Sequence, residues 1–364
     1  MLTTPSGKPR ARAIGIPFDG ETGPLNAITD VAGLEVGYRT LIRGAGKRVV
    51  GEGPVRTGVT AIFPRGRDGA TTPVFAGMFS LNGNGELTGS HWVAEVGRCE
   101  GPITLTNTHS VGVAHDAAIK WMVRRFGMAG QWSLPVAGET YDGWLNDING
   151  FHLTEADVLA ALDAAAPGPI EEGSVGGGTG MICYGFKGGS GTASRRVALA
   201  GTDYFVGAFV QANFGGREQL TIAGVPVGKA LKDWAPDARA GPEAGSVIAI
   251  VATDAPLLPH QLTRLARRVS LGIGRGGAVS GHGSGDIFLA FSTANAEALA
   301  SDEALRSAAF IPDEALNPFF AATIQSIDEA VLNALVANET MTGADDHVVH
   351  ALPHDEVRRR LGLP

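Results

Sequence analysis

Two glycine–serine junctions hold the residue types that could do chemistry in this chain. The first is Gly245–Ser246, within PEAGSVIAIVA at residues 242–252. Pro, Glu and Gly make a turn there. Ser246 then leads into an unbroken apolar run from Val247 to Ala252, which reads as a buried strand. The second is GHGSGDIFLAFST, where Gly283, Ser284, Gly285 and Asp286 stand at the lip of another apolar run. If the two strands are neighbours, two hydroxyls and a carboxylate meet at one sheet edge. A serine hydroxyl is a poor nucleophile without a base. No recognisable motif joins a histidine to Ser246, and the glycines around His282 make a turn. A chain cut before Ser246 would supply its own base, because an α-amine has a reference pKa of about 8. Ser284 could orient that amine, and Asp286 could hold Ser284. Each junction also has a plainer reading: a turn that ends, and an Asp closing a local backbone hydrogen bond.

The elements that must position these residues are partly visible. Strand-like runs occur at residues 59–63, 73–81 and 102–107. A helix is expected over 115–126, with apolar residues on one side and two arginines on the other. Thr154 with Asp157 three residues later, followed by VLAALDAAA, marks a capped helix. Residues 180–228 hold GMICYGF, YFVGAFVQANF and QLTIAGVPVG, separated by turn residues as antiparallel hairpins would be. Further helices are expected over 260–270 and 320–337, and one short helix in the polar tail. Residues 1–20 read as an extended arm. Strands come in sequential groups rather than alternating with helices, which predicts an α+β fold with antiparallel sheets covered by helices. The best linker candidate is KDWAPDARAGPEAG, residues 232–245, where a chain could be exposed and cut.

Composition narrows the function classes. The chain has 364 residues, with 52 glycines, about twice the usual share, so many tight turns are expected. A formal net charge of −8 argues against a nucleic-acid partner. Cys99 and Cys183 make neither a disulfide framework nor a CxxC pair. The first twenty residues lack the apolar core of a signal peptide, and no apolar run reaches the ~20 residues that span a bilayer. A soluble, cytoplasmic protein with no membrane partner is the expectation. GIGRGG at 272–277 lacks the strand–turn–helix setting of a dinucleotide site. VGGGTG and GGSGT lack the Lys-Ser/Thr ending of a P-loop. There is no G-x-S-x-G and no HExxH. DDHVVH with His354 reads as a solvated polar face rather than a metal site.

A set of ordered segments then gives a resemblance. GPLNAITDV, NGNGELTGSHW, TNTHSVGVAHDA, ETYDGWLNDINGF, GGGTGMICYGFKGG, VQANFG, TIAGVPVG and SGDIFLAFSTAN together make the chain similar to the DmpA/BapA family of L-aminopeptidase/D-amidase-esterases and β-peptidyl aminopeptidases. The resemblance covers nearly the whole chain. It implies a four-layer αββα sandwich like that of N-terminal nucleophile hydrolases, with different strand connectivity. It implies one domain over 1–364, self-cleaved between Gly245 and Ser246 into an α chain, 1–245, and a β chain, 246–364. The two would stay together and assemble into homo-oligomers of αβ pairs. It gives Ser246 as nucleophile, with Ser284 and Asp286 beside it. Some members carry Glu at the last position, and the shorter Asp could alter selectivity. The oxyanion-site amide maps to Asn213. The acid that receives the substrate's free amine maps to Glu139, with Tyr141 beside it and Trp132 as a further pocket residue. His282 receives no role.

The expected activity is therefore hydrolysis of the first amide of a short peptide, an amino-acid amide or an ester, with D- or β-residues included. No metal or organic cofactor is implied. Two rivals remain at this point. One is an acyltransferase of the ornithine acetyltransferase kind, against which the Ser at the cut and the acidic amine-binding residue both speak. The other is a non-enzymatic interaction protein on the same scaffold.

Overall fold

The computed structural model describes residues 1–234 and 245–363. Most of the expected linker, 235–244, lies outside the described residues.

Two sheets face each other. The smaller contains β1 (Glu35–Arg43), β2 (Val55–Phe63), β5 (Ile103–Asn107) and β6 (Val136–Thr140), in the order β1-β2-β5-β6. The larger contains β3 (Val74–Gly83), β4 (Arg98–Cys99), β7 (Gly189–Leu199), β8 (Thr202–Asn213), β9 (Ser246–Thr253) and β10 (Gly285–Ser292), in the order β4-β3-β10-β9-β8-β7. Helices α1 (Val111–Phe126) and α2 (Glu155–Asp163) cover the outer face of the small sheet. Helices α3 (Pro259–Arg275) and α4 (Asn317–Val336) cover that of the large one. The four layers are α, β, β, α, as expected.

The sandwich explains the run that begins at Ser246. In β9, Val247, Ala249 and Val251 pack against the helical layer, whereas Ile248, Ile250 and Ala252 pack against the opposite sheet. A strand buried on both faces has no polar alternation to show. Each sheet also holds one parallel pair, β5 with β6 and β9 with β10, where the sequence pointed only to antiparallel pairing.

Other expectations are corrected. Residues 1–20 are not an extended arm: residues 11–14 form a short 3-10 helix, and buried Arg10 pairs with buried Glu172 at 2.6 Å. QLTIAGVPVG is not a strand. Ala223 and Gly224 both take positive φ, leaving one bridge from Ile222 to Val225 before a four-residue helix, Val227–Ala230. β7, GSGTASRRVAL, looks like a loop in sequence. Gly191 reflects contact with a helix: a Cβ there would lie 2.0 Å from the Ala330 carbonyl oxygen of α4. That helix is also long and apolar enough to cross a bilayer, but most of it is buried in this core.

Candidate active site

The two serine junctions do meet. β9 and β10 are parallel neighbours, with Ser246 opposite Gly285. On the other side of β9, Ser246 is the antiparallel partner of Asn213, the last residue of β8. The even-numbered residues of β9 face the opposite sheet, and so do Phe209 of β8 and Ile287 of β10. Side chains alternate along a strand, so Ser246 and Asn213 project from the same face of the large sheet, toward the small one. Ser246 is buried, and its Oγ has no hydrogen-bond partner among the described residues. A buried hydroxyl left without a protein partner is uncommon.

Asn213 is fixed at both ends. Its Oδ1 accepts from Ile182 N–H at 2.9 Å, and its Nδ2 donates to the Tyr141 carbonyl oxygen at 2.9 Å. The first bond decides which end of the amide is the donor. Ile182 lies on a tight hairpin of two short strands, Ile182–Cys183 and Phe186–Lys187. Lys187, wholly enclosed, ties that hairpin by donating to Met181 O at 3.0 Å and Gly188 O at 2.7 Å; burial pushes its pKa down to about 7.

Ser284 donates to Asp286 Oδ1 at 2.6 Å, and both are buried. Phe288 packs on the helical side, so strand alternation directs Asp286 to that side as well. The pair therefore lies one strand over from Ser246, on the opposite face of the sheet from its side chain. His282 is exposed.

A pocket of about 300 Å³ opens above Ser246, lined by Asn84, Thr108, Glu139, Tyr141, Gly245, Ser246 and Gly283. Glu139 is buried near the end of β6. Its Oε1 accepts from Glu86 N–H at 3.1 Å and its Oε2 from the Thr108 hydroxyl. Burial raises its pKa, and those two hydrogen bonds pull back in part. No cation among the described residues is bonded to this desolvated carboxylate, which suits it to an ammonium ion. Tyr141 is half exposed at the same pocket. Behind it, wholly buried Asp142 accepts from Asn146 at 3.0 Å, and burial pushes its pKa up to about 7.

Trp132 is not in this pocket. It is 62 % exposed, sits edge-on to Trp92, and lines two other cavities, of about 250 and 340 Å³, with Glu100. It lies on the loop between α1 and β6. Sequence reasoning missed Thr108 and Asn84, which lie in TNTHS and NGNGE. Their signal is a polar residue next to a strand end, too common to single them out. Among the described residues no group of three or more His, Cys, Asp or Glu could hold a metal. In DDHVVH, His347 stacks on Trp144 at 4.0 Å and Asp345 pairs with Arg48.

Residues 26–349 match the model of peptidase family S58. The chain belongs to peptidase family S58. It is 50 % identical to a protein named beta-peptidyl aminopeptidase BapA from Sphingosinicella microcystinivorans, over 97 % of this chain and 92 % of that protein. Its fold matches the L-aminopeptidase D-Ala-esterase/amidase of Ochrobactrum anthropi, described as a new variant of the Ntn hydrolase fold. That match has a TM-score of 0.92 and 50 % identity over 98 % of both chains. A Burkholderia sp. beta-aminopeptidase matches with a TM-score of 0.88 and 43 % identity, over 97 % of this chain and 98 % of that one. The S58 match and the four layers agree with the αββα reading.

Proposed function

We propose that this chain is a serine aminopeptidase that releases N-terminal residues from short peptides, amino-acid amides or esters, with Ser246 as an N-terminal nucleophile generated by cleavage after Gly245. The observation that carries this reading is the orphaned, buried Ser246 Oγ sharing one small pocket with the desolvated Glu139 carboxylate. The carboxylate receives the substrate's ammonium and so places the first amide at the serine. Oγ attacks the carbonyl carbon. The Ser246 amine, which the cut frees to turn from β8 toward Ser284 and through it Asp286, takes the Oγ proton and gives it to the leaving amine. Asn213 Nδ2 donates to the oxyanion. Water then attacks the acyl-enzyme by the same route in reverse.

The names of the relatives support D- and β-residues as substrates beside L-residues. Cys99 and Cys183 are both buried and not joined in a disulfide, which accords with a cytoplasmic location. Assembly into homo-oligomers of cleaved pairs belongs to the same proposal. The test is a panel of p-nitroanilides carrying L-, D- and β-homo residues, each with a free and an acetylated amine. Free-amine substrates turn over and acetylated ones do not. Equal turnover of the two sets overturns the aminopeptidase reading.

A further inference from the structure

The peptide bond between Gly245 and Ser246 lies inside the sheet ladder. Gly285 N–H donates to the Gly245 carbonyl oxygen at 3.2 Å, the first rung between β9 and β10. In a trans peptide the C=O and N–H point in opposite directions. The carbonyl is therefore turned toward β10 and the Ser246 nitrogen toward β8. Both glycines are held in place by backbone. A Cβ on Gly245 would lie 2.7 Å from Asn213 O and 2.8 Å from Phe214 Cα, and one on Gly285 would lie 2.2 Å from Asn84 O.

We propose that the backbone N–H of Gly285 is the oxyanion donor of self-cleavage, a role that rests on the cleavage at Gly245–Ser246 proposed above. Ser246 Oγ attacks the Gly245 carbonyl carbon. The new C–O bond forms as the carbonyl π pair moves onto oxygen, where the Gly285 N–H already points. A hydrogen bond to a developing anion is shorter and about twice as strong as one to a neutral carbonyl, so the rung strengthens as charge builds. The C–N bond then breaks, and the nitrogen keeps its electron pair and gains the Oγ proton. The result is an ester from Gly245 to Oγ and a free Ser246 amine. Water hydrolyses the ester, leaving a carboxylate on Gly245. Self-cleavage and substrate hydrolysis thus draw on different donors: a ladder N–H for the first and the Asn213 side chain for the second.

The test removes the N–H without adding a side chain. Glycolic acid is incorporated at 285 by nonsense suppression during cell-free synthesis of the full chain, turning that amide into an ester. Conversion into 1–245 and 246–364 is then followed by mass spectrometry. Removing one oxyanion donor lowers a rate roughly 100- to 1000-fold, and that slowing is expected here. The control is the same amide-to-ester change at Leu289, whose N–H serves the same ladder four residues further along. This control should process at the wild-type rate. Equal slowing at both positions would overturn the donor role in favour of general ladder weakening, and so would normal processing of the Gly285 ester. A wild-type chain that stays whole is a different result: it sinks the cleavage reading itself, and the donor role falls with it.

Discussion

Asn213 and Ser246 are direct antiparallel partners at the ends of β8 and β9. The relation joins the proposed nucleophile to the proposed amide donor through one rung of a sheet, so neither depends on a loop for its position. It also joins the two expected products, because Asn213 precedes the cut and Ser246 follows it. In the large sheet the two strands after residue 245, β9 and β10, lie side by side between β3 and β8, which both precede it. Cleavage there leaves the core intact.

The first expectation is the cut itself. Purified protein should resolve by mass into 1–245 and 246–364, and Ser246→Ala should remain a single chain. Gly245→Ala should also stay whole or process far more slowly, since its new methyl has no room against Asn213 O and Phe214 Cα. Rapid processing of Gly245→Ala would show that this packing does not hold the scissile peptide.

Asn213→Ala should lose activity in kcat rather than in KM. An oxyanion donor acts on charge that exists only in the transition state, and losing one costs roughly 100- to 1000-fold, or about 2.7–4 kcal/mol. The variant should still cleave itself if Gly285 serves that step, and its cleavage is checked by mass before kinetics are measured. Wild-type kcat in the processed variant would remove Asn213 from the mechanism.

How much of this was legible follows from what each residue reports locally. Ser246 and Ser284–Asp286 were visible because each starts a continuous apolar run, and a strand buried on both faces can have no other pattern. Their adjacency was a conjecture until β9 and β10 proved to be parallel neighbours. The opposite facing of Ser246 and Asp286 follows from register, which no single segment encodes. β7 was hidden because its Gly191 answers to a helix more than a hundred residues away, and β1 because its exposed edge position admits Glu35, Arg39 and Arg43. Glu139, Asn213 and Tyr141 came from family resemblance alone, and the geometry brings all three to Ser246. Trp132 came the same way and lies elsewhere.

Glu329 of α4 should matter to stability and not to chemistry. It accepts from Arg195 at 2.7 Å, Arg12 at 2.7 Å and Asn26 at 2.6 Å, and so ties the segment after the cut to three residues before it. Burial raises its pKa, but Arg12, Arg195 and Asn26 outweigh that and hold it below the usual value. A depressed carboxyl pKa stabilises the fold above the unfolded value, here 4.5, and that stability is lost as pH falls through the folded value. Glu329→Ala strands a buried guanidinium and should cost about 3–5 kcal/mol in urea unfolding at pH 7. The gap from wild type should shrink only well into acid. A gap that persists undiminished at low pH would mean that packing, not charge, holds this junction.

Glu139→Gln should trade activity for stability. Because burial raises the Glu139 pKa, the folded state holds that proton more tightly than the unfolded chain does. Ionised Glu139 therefore destabilises the fold, and the loss grows as pH rises from 4.5 through the folded value. The neutral amide removes this cost, so the variant should melt higher than wild type at pH 7 and equal to it below pH 4.5, where Glu139 is protonated in both states. Activity should move the other way. A charge-assisted bond to the substrate's ammonium contributes about 1.5–3 kcal/mol, so kcat/KM on free-amine p-nitroanilides should fall roughly 10- to 150-fold. Self-cleavage involves no free amine and should proceed normally. Acetylated substrates should gain relative to free-amine ones, since the variant no longer offers a charge that only the ammonium can satisfy. A variant that melts higher yet keeps wild-type kcat/KM would show that the carboxylate is strained for some purpose other than reading the amine.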